Sequence, residues 1–141
     1  MSADNILRLI PDFARIEEKC FSSPWTEKML TDSFLSGQYI FVSISDGEQV
    51  AGYACGTISP GEAELQRICV LPEFRRKGYG KRLLGEITMA FFAAGCEKIF
   101  LEVRCRNSAA RSLYEKCGFD EIATRPGYYG DDDAVIYSRS V

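Results

Sequence analysis

Near the middle of the chain, Arg75-Arg76-Lys77-Gly78-Tyr79-Gly80-Lys81-Arg82 combines five cationic side chains with two glycines at the start of an amphipathic helical pattern. Glycines let a backbone come close to a ligand, and the free amides and positive dipole end of a helix face whatever lies over that turn. A phosphate or pyrophosphate is the ligand this chemistry suits. Two familiar phosphate loops do not match. A Walker A motif requires Ser or Thr after its Lys, where Arg82 stands, and a dinucleotide fingerprint requires a third glycine, where Leu83 stands. The competing reading is a solvated basic turn, but cations at a helix N-terminus oppose the dipole, and five of them are a cost that calls for an anion.

Groups that could move protons are few. The chain has no histidine, which removes Ser-His-Asp and Cys-His nucleophile systems and every His-containing zinc site; no metal is expected. Ile99-Phe100-Leu101-Glu102-Val103 sets one carboxylate in an apolar strand. Desolvation there would raise its pKa toward the range of a general base; the alternative is a strand-end Glu paired with a neighbouring Arg. Tyr114, next to Leu113 and ahead of Cys117-Gly118-Phe119, reads by itself as a core tyrosine with its hydroxyl at the surface. The six cysteines form no CxxC pair and sit mostly in apolar segments, as buried free thiols of a reducing compartment do. A cysteine acyl-enzyme would lack a histidine to make its thiolate.

These groups need a scaffold. The apolar run Ile6 to Ile10 reads as a strand, followed after Pro11 by a helix on Phe13, Ile16 and Cys20. A second helix starts at Thr26 and ends at Gly37. Tyr39 to Ser45 and Gln49 to Ile58 are strands joined by Asp46-Gly47, a hairpin signal, and Ala63 to Leu71 is a third. Leu83, Leu84, Ile87, Phe91 and Ala94 share one face of a helix running from Gly78. Then come a strand at Ile99 to Val103, a short helix capped by Asn107 or Ser108, and closing strands at Phe119 to Thr124 and Ala134 to Tyr137. This order predicts an α/β (mixed α+β) domain without repeats or linkers.

With 141 residues, 46% of them hydrophobic, a full core is available to one domain spanning 1–141. A formal charge of -3 gives no global reason to bind nucleic acid, so an anionic ligand must be held by a local cluster. The first ten residues lack the basic flank and apolar stretch of a secretory signal, and the longest apolar patch, Ile87 to Cys96, is about half a membrane span. A soluble, cytoplasmic protein is expected. Nothing sets its oligomeric state.

The run Leu65 to Leu84, LQRICVLPEFRRKGYGKRLL, resembles the acetyl-CoA motif of the GNAT acetyltransferases. LEVRCRNSAARSLYEKCGF from Leu101, the tail GYYGDDDAVIYSR and the early SSPWTEKML resemble the ribosomal-protein alanine N-acetyltransferase type within that superfamily. The resemblance implies a central, mixed, mostly antiparallel twisted sheet of about seven strands with about four flanking helices, and acetyl-CoA as cosubstrate. It implies backbone contacts to the acetyl and pantetheine portions from Ile68, Cys69 and Val70. A pyrophosphate turn would be lined by Arg75, Arg76, Lys77, Gly78, Gly80 and Lys81, with Asn107 on the pantetheine arm. It further implies Glu102 as general base, Tyr114 as general acid, and Pro24, Trp25, Tyr128 and Tyr129 around the acceptor peptide. Ser23 departs from the pattern, since related sequences often carry an aromatic residue before the Pro, which bears on the shape of the first-residue pocket.

The expected reaction is direct transfer of acetyl to a protein N-terminal amine, by resemblance an alanine of a small-subunit ribosomal protein. Transfer to a lysine or a small amine, and a non-catalytic acyl-CoA-binding module, are the alternatives. Asp131-Asp132-Asp133 would make the acceptor entrance negative, unless it is an ordinary solvated loop.

Overall fold

The computed structural model describes residues 3–141. Met1 and Ser2, the start of the decapeptide tested for a signal, lie outside the described residues. Helices α1 (Ala3–Cys20) and α2 (Glu27–Leu35) lead into strands β1 (Tyr39–Asp46), β2 (Gln49–Ser59) and β3 (Glu62–Val70). A 3-10 turn at Pro72–Phe74 precedes α3 (Tyr79–Ala93), then β4 (Lys98–Arg104), α4 (Ser108–Lys116), β5 (Asp120–Arg125) and β6 (Ala134–Ser140). The strands form one six-stranded sheet in the order β1-β2-β3-β4-β6-β5, antiparallel throughout except between β3 and β4.

The expected first strand does not exist. Ile6 to Ile10 belongs to α1, which carries Pro11 inside it. Ile6, Ile10, Phe13 and Ile16 are all buried and fall on one helical stripe. Each such burial is worth roughly 1.5–3 kcal/mol, so four of them outweigh the ~3 kcal/mol that an internal proline costs. The six strands in place of about seven follow from this one change.

Helices cover both faces of the sheet. Ile10, Phe13 and Ile16 of α1 and Leu30 of α2 pack on Phe41, Tyr53, Cys55 and Cys69. On the opposite face Leu84, Ile87 and Phe91 of α3 and Tyr114 of α4 pack on Ala63, Leu65, Ile99, Leu101 and Val103. Alternation along β4 therefore turns Phe100 and Glu102 away from α3 and α4, as a period-two reading requires.

The feature that makes a site is the parting of β3 and β4. Their parallel pairing runs only over Glu62, Ala63 and Glu64 against Lys98, Ile99 and Phe100. Beyond that, β3 follows β2. Leu65 pairs with Gly56 and Arg67 with Cys55, leaving Gln66 as the extra residue of a bulge, which bends its strand and raises the twist. β2 takes the bent strand closely because it has no side chain there. A Cβ on Gly56 would lie 2.2 Å from Glu64 O, and one on Gly52 2.5 Å from Cys69 O.

Candidate active site

Where the strands part, a cleft of about 760 Å³ opens between Gln66–Val70 of β3 and Glu102–Arg104 of β4. The N-terminal turns of α3 and α4 and the side chain of Tyr114 complete its wall. Leu71 N–H bonds Ala51 O toward β2 at 2.8 Å, so by alternation the N–H and C=O of Val70 face the cleft. Val70 O is already taken there, by Arg75 Nε at 3.0 Å and by the Cys20 thiol at 3.5 Å.

At the other end stands the basic turn. Gly78 caps α3 in the left-handed region, φ 80°, and Arg76 shares that region at φ 68°. The bond from Arg82 N–H to Gly78 O, at 3.1 Å, is the first of the helix, so the amides of Gly78, Tyr79, Gly80 and Lys81 have no acceptor within α3. A Cβ on Gly80 would point at Leu113 across the cleft, 3.7 Å away. Bare amides, a left-handed cap and cations fit an anionic, pyrophosphate-bearing group at this turn.

Ile68, Cys69, Val70, Arg75, Arg76, Gly78, Gly80, Lys81, Asn107, Glu102 and Tyr114 all line this one cleft. Lys77 does not. Its Nζ lies 3.1 Å from Asp46 Oδ2, which also accepts from the Tyr79 hydroxyl at 2.7 Å, and this clasp ties the turn to β1. Asn107 is at the wall, but its Oδ1 caps α4 through Ala110 N–H at 3.2 Å, leaving its amide hydrogens for a ligand. Pro24 and Trp25 lie in the α1–α2 connection outside this wall, and the Trp25 ring stands edge-on to Tyr39 at 6.3 Å.

Glu102 is half-buried on β4, and its Oε1 lies 3.3 Å from Nη1 of Arg125 on β5. The pairing with an Arg that the sequence left open is thus present, and the carboxylate is not enclosed in apolar groups. It borders both the cleft and a groove of about 400 Å³ on the other side of the parting, with Thr57, Glu64, Phe100 and Ile136. Tyr114 is buried against Phe119 and Tyr137. Burial, with a smaller contribution from Tyr129, pushes its phenol up to about 12, so it holds its proton at neutral pH. Tyr129 is itself raised, by burial and then by the charge of Glu102. Tyr129 thus stands electrostatically between Glu102 and Tyr114, residues far apart in sequence. Tyr128 is exposed, packs edge-on against Tyr129 at 5.0 Å and lies under the Arg125 guanidinium.

The acidic run is not a free entrance. Asp131 pairs with Arg104 at 2.8 Å, Asp132 accepts from Arg106 N–H at 2.9 Å, and Asp133 accepts from Gly127 N–H at 2.7 Å. Asp131 and Asp132 thus tie the β5–β6 connection to Arg104 and Arg106 at the end of β4, while Asp133 holds the connection's own turn.

Sequence reasoning passed over Glu17 and Arg67. Glu17 is fully buried. Its carboxylate accepts from the Tyr53 hydroxyl, from Arg67 Nη2, from Arg67 Nε at 3.1 Å and from Trp25 N–H at 2.9 Å. The Arg67 guanidinium lies over the Phe21 ring at 3.9 Å and lines the cleft. The network anchors the α1–α2 connection to β3. Its signal was a carboxylate on the apolar stripe of α1, next to Ile16.

Comparison with known proteins bears on what this cleft does. Residues 10–119 match the family model described as Acetyltransferase (GNAT) family. The chain is 34% identical over 139 residues to the [Ribosomal protein bS18]-alanine N-acetyltransferase of Salmonella typhimurium, covering 94% of this chain and 91% of that protein. The crystal structure of the ribosomal-protein-S18-alanine N-acetyltransferase from Escherichia coli superposes with a TM-score of 0.81 at 32% identity, over 94% of this chain and 87% of that one. An acetyltransferase structure from Bacillus anthracis, in complex with acetyl coenzyme A, gives 0.69 at 25% identity, over 74% of this chain and 63% of that one. A family match over most of the chain and a relative at this identity along nearly its whole length lead to one conclusion: this protein is an acetyltransferase that belongs to the GNAT family.

Proposed function

We propose that the chain, as one domain, acetylates the N-terminal α-amine of a protein, with an alanine of a small-subunit ribosomal protein as its substrate. The names of the full-length relatives support this substrate class. The observation that carries the chemistry is the cleft through the parted sheet, with Glu102 open to both of its sides and Tyr114 in its wall.

The bound form of acetyl-CoA seen in a family neighbour supports that cosubstrate, which would supply a thioester acetyl group. Amides of Gly78 to Lys81, with Arg75, Arg76 and Lys81, hold the pyrophosphate, and Ile68 to Val70 with Asn107 hold the pantetheine arm. Val70 N–H donates to the acetyl oxygen as negative charge develops there. The acceptor reaches Glu102 from the groove on its other side, lined by Thr57, Glu64, Arg125 and Ile136; Pro24 and Trp25 on the α1–α2 connection and Tyr128 and Tyr129 on the β5–β6 connection are the residues proposed to take the rest of the peptide. Its ammonium displaces the exposed Arg125 from Glu102, which takes a proton directly or through a water. A peptide α-amine titrates near ~8 against ~10.4 for lysine, so one carboxylate has modest work to do. Tyr114, protonated at neutral pH, returns a proton to the departing sulfur.

Peptides beginning Ala-Arg, compared with the same peptides carrying a blocked α-amine and a free lysine, test the reading. Acetylation of the free α-amine is expected. Preference for the blocked peptide would replace it with lysine transfer, and no turnover of any amine would leave an acyl-CoA-binding module.

A further inference from the structure

Between the 3-10 turn and α3 the backbone places Arg76 at φ 68° and Gly78 at φ 80°, both in the left-handed region. Gly78 takes that region freely, but for a residue with a Cβ such as Arg76 it is disfavoured by roughly five- to thirtyfold. Among the described residues no backbone hydrogen bond ties Arg76 or Lys77 to the rest of the fold. Upstream, Arg75 is fixed by its bond to Val70 O, and downstream the Tyr79 ring packs beside Leu83 and Ile44. The stretch between them is fastened by a side chain from another element. Asp46, the last residue of β1, accepts at one oxygen, Oδ2, from Lys77 Nζ at 3.1 Å and from the Tyr79 hydroxyl at 2.7 Å. The two donors flank Gly78, so the carboxylate brackets it. The bond from Tyr79, then that from Lys77, keeps the Asp46 carboxyl below its ordinary range and ionised at neutral pH.

We propose that Asp46 is a positioning residue for cofactor binding, which holds the turn from Arg76 to Tyr79 in the strained shape that presents the amides of Gly78 to Lys81 to a pyrophosphate. The role rests on the reading that this turn holds the pyrophosphate of acetyl-CoA; the bracket itself does not. Asp46 is not among the residues lining the cleft, so it acts through the turn and not on the ligand.

Two opposite effects follow from removing this carboxylate. Lys77 is set free, and one more cation comes near the phosphates. The turn is also set free, Arg76 can leave the left-handed region, and only the fraction of molecules that keeps the shape binds with full affinity. The Lys77 side chain is 52% exposed, and an exposed cation adds little to a site that already has Arg75, Arg76 and Lys81. Loss of the turn therefore outweighs the gain in charge. Because Arg75 and the Tyr79 ring stay fixed, the lower end of the range applies, and affinity for CoA should fall about fivefold.

The test compares Asp46→Ala, Asp46→Asn and Tyr79→Phe with the parent. Donors are acetyl-CoA and S-acetylpantetheine, which has the same thioester and arm but no pyrophosphate. Calorimetry with CoA runs in parallel, as does trypsin cleavage after Arg75, Arg76 or Lys77 in protein without cofactor. Asp46→Ala is expected to raise KM for acetyl-CoA and the CoA dissociation constant about fivefold, with kcat and the rate from S-acetylpantetheine unchanged and cleavage at the turn faster. Asp46→Asn keeps an oxygen for the Tyr79 hydroxyl and should fall between that variant and the parent. Tyr79→Phe removes one arm of the bracket, leaves the β1–β2 hairpin intact, and carries the same test if the alanine variant does not fold. Tighter CoA binding by Asp46→Ala would overturn the proposal, since the carboxylate would then only oppose the phosphates. Equal losses with both donors, or cleavage no faster than in the parent, would also overturn it and leave Asp46 as a residue of the hairpin. A parent that binds CoA no better than pantetheine would remove the pyrophosphate reading and the positioning role with it, whatever trypsin shows of the bracket.

Discussion

Replacing Glu17 with Gln is expected to destabilise the protein strongly. The carboxylate is fully buried and accepts four hydrogen bonds, from Tyr53, Trp25 and twice from Arg67. Removing one member of a buried pair costs ~3–5 kcal/mol, because the other charge is left without a partner. The Arg67 side chain keeps 18% of its exposure and can recover some water, which favours the lower end, about 3 kcal/mol. For a domain of this length each kcal/mol is worth about 3–4 °C, so the melting temperature should fall by roughly 10 °C. The double variant Glu17→Leu, Arg67→Met removes both charges but leaves the Tyr53 hydroxyl and the Trp25 amide without an acceptor, at about 1–3 kcal/mol each, so it should recover little of the loss. Thermal and urea unfolding followed by circular dichroism measure both. A Glu17→Gln melting temperature within about 2 °C of the parent would refute the argument that this pair anchors the α1–α2 connection.

Gly80→Val should keep the fold, since its Cβ meets only Leu113 at an ordinary 3.7 Å, and should sharply weaken acetyl-CoA binding by calorimetry; unchanged affinity would mean the pyrophosphate lies elsewhere. Tyr114→Phe should retain cofactor binding and lower single-turnover rates by ~10²- to 10⁴-fold, the usual worth of a general acid. The same phenol, raised from 10.0 to about 12 in the folded protein, gives stability that is complete below pH ~10 and lost as pH rises toward 12. The Phe variant should therefore show a shallower alkaline decline. Glu102→Gln should lose most activity at low pH, where the α-amine is protonated and the base is needed; a pH profile matching the parent's would leave Glu102 as the partner of Arg125 alone.

Local signals carried well from sequence to structure. The helix starts at Thr26 and Asn107, the glycine at the head of α3 and the Asp-Gly hairpin are set by neighbours a few residues apart, and each stands where its residues place it. The basic turn was legible for the same reason, because its amides, glycines and cations are contiguous. Family likeness then named Glu102 and Tyr114, but neither periodicity nor spacing could say that they face one cleft. Only the tertiary structure decided that Ile6 to Ile10 is helical despite Pro11, that Glu102 meets Arg125, that Asp131 and Asp132 turn to Arg104 and Arg106, and that Glu17 meets Arg67. Each of these joins residues from different elements, or sets packing against a local propensity. Such contacts exist only once β3 bends away from β4 and the helices close over both faces, because the energy that selects them is released by burial and charge pairing across the fold.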